Sequence, residues 1–254
     1  MSLHLKKISK KSLSNHGCFP FNLPLIENFS ELSITKPVTI FVGDNGTGKS
    51  TFLSGIANAA QCITVGEKEA DSTSLGQALS LTWSARTKKG FYFRANEFSH
   101  YIKRLEEMKR EAQEAIAEIK EQDRSQLEIL PHARQLHDLK HFYGEGLEYR
   151  SHGESFLDLF HSRFQPNGLY VLDEPEGPLS PVKQLTLISM IKNMVEENGQ
   201  FLIATHSPIL MAIPGAEIFL LEEDRLVKKS YQELEHVTII RDFLQSPERY
   251  LRYL

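Results

Sequence analysis

The sequence is poor in cysteine, in long apolar runs and in net positive charge. Its two cysteines, Cys18 and Cys62, have neither metal-ligand nor redox spacing, so they read as free thiols in a reducing compartment. No apolar run approaches the roughly 18 residues that a membrane span needs. The longest candidates, residues 201–204 and 218–221, have the length of buried strands. The formal net charge is −4, which argues against a general nucleic-acid binder and leaves room for a local basic patch. The first twelve residues carry lysines with no apolar stretch behind them, unlike a signal peptide. A cytoplasmic protein without direct membrane insertion is expected, and any membrane role would need a separate partner. There is no internal repeat.

What is present is an ordinary globular balance, 41% hydrophobic and 24% charged, in a chain of 254 residues. That length buries a substantial core without staples and suits one large α/β domain or two small ones. Residues 3–8 read as a first strand, 18–26 as an extended, proline-punctuated segment, 38–42 as a buried strand and 47–60 as a helix. A polar stretch, 66–77, follows. Residues 78–84 and 90–94 are strand-like and are candidates for a hairpin. From about 96 to 139 the composition changes to Glu, Lys, Arg, Gln and Ala. Ile102, Leu105, Met108, Ala112, Ile116 and Ile119 recur there at helical spacing. Pro131 breaks or starts a helix. This segment reads as a helical subdomain ending near the glycines at 144 and 146. Beyond 151, helices (153–164, 180–197 and a short one near Pro208) alternate with strands (169–172, 201–204, 217–222), the pattern of parallel strands covered by helices.

Gly43, Asp44, Asn45, Gly46, Thr47, Gly48, Lys49 and Ser50 fit G-x-x-x-x-G-K-[ST] between a hydrophobic strand and a helix. Glycines there let backbone N–H groups wrap phosphates, and the helix N-terminus adds partial positive charge. Lys49 would neutralise the β- and γ-phosphates, the Ser50 hydroxyl would ligate Mg²⁺, and Thr51 would reach the α-phosphate. The motif by itself says nucleoside triphosphate. Downstream, an apolar run from Leu169 to Leu172 enters Asp173, Glu174 and Pro175. Carboxylates at the C-terminal end of a central strand lie where ligands bind in open α/β sheets. Adjacent strand residues point opposite ways, so the two acids should differ in role. Asp173 would hold Mg²⁺ opposite Ser50, and Glu174 would act as general base toward the attacking water.

After the next strand come Thr205, His206, Ser207 and Pro208. Cradle, acid pair and histidine, in that order, resemble the ATP-binding-cassette superfamily. The resemblance covers residues 19 to 230. It implies an α/β P-loop NTPase fold with a mostly parallel central sheet, an antiparallel β part and an inserted helical subdomain. It also implies a single domain over 1–254, with a core of 1–95 and 165–254 and a helical subdomain of about 96–164. His206 stands where the superfamily contacts the γ-phosphate. The signature loop, usually Leu-Ser-Gly-Gly-Gln or Glu, is matched here by Ser151, Gly153 and Glu154, while Arg150 and His152 depart from it. Family precedent brings the serine and glycine to ATP held by a second subunit. The loop after Pro175 usually reads Ser-Ala-Leu-Asp; here Leu179 matches and Ser180 replaces the aspartate. Asn96 or Glu97 would replace the usual glutamine at the cation. The likeness extends to small stand-alone bacterial ATPases nearer the chromosome-maintenance and DNA-repair branch than the transporters.

The expected activity is hydrolysis of ATP with Mg²⁺ by a homodimer that sandwiches the nucleotide. The expected task is DNA maintenance or defence against invading DNA with an unidentified protein partner. Nucleic acid is a candidate ligand, with Lys6, Lys7, Lys10 and Lys11 either contacting phosphates or merely solubilising the terminus. Phe19 and Phe21 either stack on adenine or belong to the core. Energising a separate transporter subunit and sensing nucleotide with little turnover are the alternatives.

Overall fold

Three runs, Val38–Val42, Leu169–Asp173 and Gln200–Ala204, are buried along their whole length, as parallel strands covered on both faces must be. They form the centre of the sheet in a computed structural model that describes residues 3–11, 17–65, 71–122, 124–143, 152–222 and 224–252. In chain order the elements begin with β1 (Leu5–Lys10), α1 (Pro24–Asn28), β2 (Glu31–Ser33), β3 (Val38–Val42), α2 (Lys49–Ala60), β4 (Ile63–Val65) and α3 (Asp71–Ala78). Then come β5 (Leu79–Trp83), β6 (Gly90–Arg94), α4 (Ala95–Glu121), α5 (Gln126–Tyr143), α6 (His152–Arg163), β7 (Leu169–Asp173) and α7 (Pro181–Glu196). The last are β8 (Gln200–Ala204), α8 (Pro208–Met211), β9 (Glu217–Glu222), β10 (Arg225–Lys229), α9 (Glu235–Gln245) and α10 (Pro247–Leu251).

The seven-stranded sheet has the order β10-β9-β3-β8-β7-β6-β4. All its pairings are parallel except β10 with β9. β1, β2 and β5 make a separate antiparallel sheet. The alternating side chains of each central strand feed two cores. Ile40, Leu172 and Ile203 join Phe93, Phe156 and Phe160 on one face, while Phe41, Val171 and Leu202 join Phe52, Leu53 and Ile56 of α2 on the other. The mixed sheet, the antiparallel part and the helical insert agree with the fold class expected from sequence.

Four local expectations fail. Residues 78–84 and 90–94 are not a hairpin: β5 pairs with β1 in the small sheet, and β6 lies between β4 and β7. Burial explains the separation, since β5 alternates between covered and wet positions whereas Phe91, Tyr92 and Phe93 are all buried. The polar stretch 66–77 is helical from 71 onward, because Leu75, fully buried in the core with Phe52 and Ile56, outweighs its weak local signal. Segment 18–26 is not extended throughout; Pro24 opens a short helix that buries Leu25 and Ile26. Pro131 neither starts nor breaks a helix but lies inside α5. It removes the donor that would meet the Leu127 carbonyl, and Leu127 is 74% exposed, so water can take that place. In α4, Ala112 and Ile119 form part of the buried stripe. Among the described residues no helix is long and apolar enough to cross a membrane.

At the end of the sheet away from residues 43–48, Glu217 is held with its side chain 1% exposed. It accepts hydrogen bonds from the Thr35 N–H and Oγ1, both at 2.7 Å, and from the Lys36 N–H at 3.1 Å, and it pairs with Lys228 Nζ at 3.0 Å. Burial pushes its carboxyl up, but the donors from Thr35, Lys228 and Lys36 outweigh burial and hold it below its ordinary range. A depressed pKa contributes stability above the unfolded value and loses it as pH falls through the folded one. Glu217→Gln is therefore expected to cost about 1–3 kcal/mol at pH 7 in urea unfolding. The difference from wild type should shrink as pH drops below about 4.3. A difference that stays constant into that range would show that the carboxylate charge is not what stabilises.

Candidate active site

β3 delivers the chain to residues 43–48, and α2 begins at Lys49. Gly46 and Gly48 have φ of +80° and +93°, a left-handed backbone that strains any side chain. Lys49 is only 6% exposed, and its Nζ donates to the carbonyls of Gly43 at 2.7 Å and Asp44 at 2.6 Å, which holds the ammonium inside the curve of the loop. Burial lowers its pKa, against the pull of Glu174, Asp173, Asp44 and Glu176. Thr47 Oγ1 donates to the Asp44 carbonyl at 2.8 Å. Asn45 is exposed at the loop tip, and Thr51 is half-buried in the first turn of α2.

β3 and β7 are not neighbours; β8 lies between them. Even so, Ser50 Oγ donates to Asp173 Oδ1 at 3.1 Å across that gap. Asp173 is 1% exposed. Burial pushes its carboxyl to about 6, opposed by the Ser50 hydrogen bond and the Arg94 guanidinium. The β6–β7 register sets Arg94 beside Asp173, with Nε 3.3 Å from Oδ2. Arg94 also reaches Glu97 Oε1 at 3.3 Å, so Glu97, in the first turn of α4, communicates with Asp173 through the guanidinium.

Glu174 follows with φ +49°, an uncommon conformation for a residue with a side chain. Its N–H donates to the Ala204 carbonyl at 2.9 Å, closing the end of β7 against β8. The bend, not strand alternation, separates the acids: Asp173 ends β7, and Glu174, 34% exposed, lies beyond it with Oε1 3.6 Å from His206 Nε2. Among the described residues that nitrogen makes no hydrogen bond. Burial and Lys49 lower the His206 pKa, against Glu174, which leaves a neutral imidazole at pH 7.

Some of the site's residues escape sequence reasoning. Glu176 Oε1 accepts from the N–H groups of His206 at 2.7 Å and Ser207 at 3.1 Å, clamping the loop after β8 to the loop after β7. Its only sequence signal is a third acid within four residues of a strand end. Arg94, at the end of β6, opens the segment holding Asn96 and Glu97, but nothing local marks it as a partner of Asp173, and His236, in α9, carries no motif.

Other predicted residues lie as follows. Phe21 belongs to the core, which excludes it from stacking on adenine; Phe19 is 53% exposed. Their segment passes the loop, since a Cβ on Gly48 would stand 3.4 Å from Leu23 Cδ1. Three of the four N-terminal lysines are engaged with protein groups: Lys7 with Glu31, Lys10 with the Ile26 and Glu27 carbonyls, and Lys11 with the Gln77 carbonyl. Lys6 is exposed. Gly153 and Glu154 lie in the first turn of α6, and Ser151 lies outside the described residues. Ser180 caps α7, accepting from the Lys183 N–H. Cys18 and Cys62 are free thiols, and burial pushes Cys62 up to about 12.

A buried ammonium, a hydroxyl–carboxylate pair and a carboxylate beside a neutral imidazole can together grip phosphate, hold a hard cation and activate water. The sequence profile of the family described as ABC transporter matches residues 32–177. No match is found among curated proteins. Similar solved structures include the ADP conformation of MJ1267, an ATP-binding cassette of an ABC transporter, at 15% identity, TM-score 0.52 and 99% coverage of both chains. Another is cbiO1 from Clostridium perfringens, part of the ABC transporter complex cbiONQ, at 15% identity, TM-score 0.50 and 100% of both chains. The Smc head domain from Pyrococcus furiosus, bound to the C-terminal domain of ScpA, has 12% identity and TM-score 0.49 over 94% of this chain and 99% of that one. At these identities the likeness to the first two is one of fold alone.

Proposed function

Because the chain belongs to the ABC transporter family, whose ATP-binding-cassette domains bind and hydrolyse ATP, we propose that it works as an ATP-gated homodimer. The observation that carries the site reading is the Ser50–Asp173 contact at 3.1 Å, beside the Glu174–His206 approach at 3.6 Å. Residues 43–51 grip the triphosphate, with Lys49 on the β- and γ-phosphates. The exposed Phe19 stacks on adenine.

The residues also fit Mg²⁺. Ser50 Oγ and Asp173 Oδ1 are hard oxygen donors, which this ion prefers. Among the described residues no three His, Cys, Asp or Glu side chains cluster to hold a metal alone. Mg²⁺ takes few protein ligands and shares the rest with phosphate. Four acids around Lys49 also leave the pocket short of positive charge. Glu97 is a further candidate at the ion, acting with Arg94. Bound Mg²⁺ would neutralise charge on the β- and γ-phosphates. Glu174 accepts the proton of the attacking water, and His206 contacts the γ-phosphate. Ser151, Gly153 and Glu154 of a second copy complete the pocket, so turnover is gated by association.

The Glu174→Gln protein tests the dimer. Sizing chromatography with light scattering should give a dimer with ATP and a monomer without it. A monomer with ATP at every concentration would sink the dimer reading. The task we attach is DNA maintenance or defence, with a protein partner. Support comes from the sequence resemblance and from the helical insert, where Lys103 and Arg104 on α4 are exposed. DNA should then raise the ATPase rate, with binding that weakens steeply as salt rises. An unchanged rate with no salt-dependent binding would favour a transporter subunit or a nucleotide sensor.

A further inference from the structure

The first turn of α9 stands beside the phosphate end of the site. Leu234 and Val237, 0% and 5% exposed, pin it into the core. Between them His236 is 34% exposed, with Nε2 3.7 Å from Oδ1 of Asp44 in residues 43–48. Its ring centroid lies 6.5 Å from that of His206, with the planes at 62°. Since His206 Nε2 is 3.6 Å from Glu174 Oε1, four side chains form a row: Asp44, His236, His206, Glu174. The row runs from the loop after β3 to the Glu174 carboxylate after β7.

His206 is fixed only in part by its own loop. Glu176 holds its backbone N–H, but the side-chain Nε2 has no hydrogen bond among the described residues. Its ring orientation therefore depends on neighbours. An edge-to-face aromatic pair prefers centroids about 4.5–7 Å apart, and His236 meets His206 within that range. On its other contact, His236 Nε2 lies 3.7 Å from Oδ1 of the exposed Asp44. We propose that His236 is a positioning residue, contributed by α9, that holds the His206 ring toward Glu174 and the γ-phosphate. This makes α9 a working part of the ATP site, and it rests on the reading of His206 as the γ-phosphate residue.

Steady-state ATP hydrolysis by His236→Ala, His206→Ala, the double variant and His236→Phe tests it. His236→Ala should lower kcat about ten-fold and leave KM for ATP within about two-fold, as expected for a lost orientation rather than a lost binding contact. Added to His206→Ala, it should change kcat by less than about two-fold, because its effect passes through that ring. His236→Phe keeps an aromatic edge and should recover most of the loss. An unchanged kcat in His236→Ala, a rise in KM alone, a full additional loss in the double variant, or no recovery by Phe would each overturn the proposal. Wild-type rates from His206→Ala would sink the reading of His206 and this inference with it. A slow His206→Ala beside an unaffected His236→Ala would sink the inference alone.

Discussion

Glu174→Gln should lower kcat for ATP hydrolysis by roughly 10²–10⁴-fold, the usual worth of a positioned general base, while ATP still binds. The substitution preserves size, so the φ of +49° and the N–H bond to the Ala204 carbonyl are retained. What disappears is a proton acceptor standing 3.6 Å from His206. Affinity for ATP should hold or improve, because one of the four acids whose charge bears on Lys49 is neutralised. Phosphate-release kinetics alongside nucleotide titration separate the two effects. A fall of less than about ten-fold would mean that Glu174 is not the base. Glu176 is the only other acid of that loop, and its Oε1 is already committed to two backbone N–H groups.

Gly90→Ala is expected to be the most damaging small change in the fold. Gly90 opens β6 with φ +111°, and an ideal Cβ there would lie 1.8 Å from the Leu169 carbonyl oxygen. Backbone cannot yield as a side-chain tip can, so β6 must part from β7 at its first pair. A cost on the order of 4 kcal/mol or more follows, which for a chain of this size lowers Tm on the order of 10 °C. The same register that joins Gly90 to Leu169 joins Arg94 to Asp173 four residues later. A chain that survives the strain should therefore also bind ATP less well. Calorimetry showing a Tm within about 2 °C of wild type would contradict the steric reading.

Legibility in the sequence divides along one line: whether a signal is local. Residues 43–50 are a contiguous motif whose glycines, lysine and serine act within one turn, and the structure sets Lys49 and Ser50 at the start of α2. Asp173, Glu174 and His206 each end a buried apolar run, so their positions could be read without knowing strand order. The mostly parallel sheet followed from helix–strand alternation. Arg94 and His236 could not be found that way, because one touches Asp173 through strand pairing and the other touches Asp44 from nearly 200 residues away. The hairpin expected from 78–94 failed for the same reason: two nearby strands went to different sheets according to which faces had to be covered. α3 was invisible because its few apolar residues matter only once α2 is beside them.

The strand order has a consequence for biosynthesis. β3 pairs only with β8 and β9, whose residues begin at Gln200 and Glu217. A ribosome has therefore released the phosphate loop, with every residue of its strand apolar or destined for burial, long before either flanking partner exists. At about 5–20 residues per second that wait is on the order of 10 s or more. A nascent chain halted before Gln200 would carry a complete glycine-lysine motif on a strand with no ladder to join. ATP could then assist folding only once β8 and β9, which end at Ala204 and Glu222, had been translated.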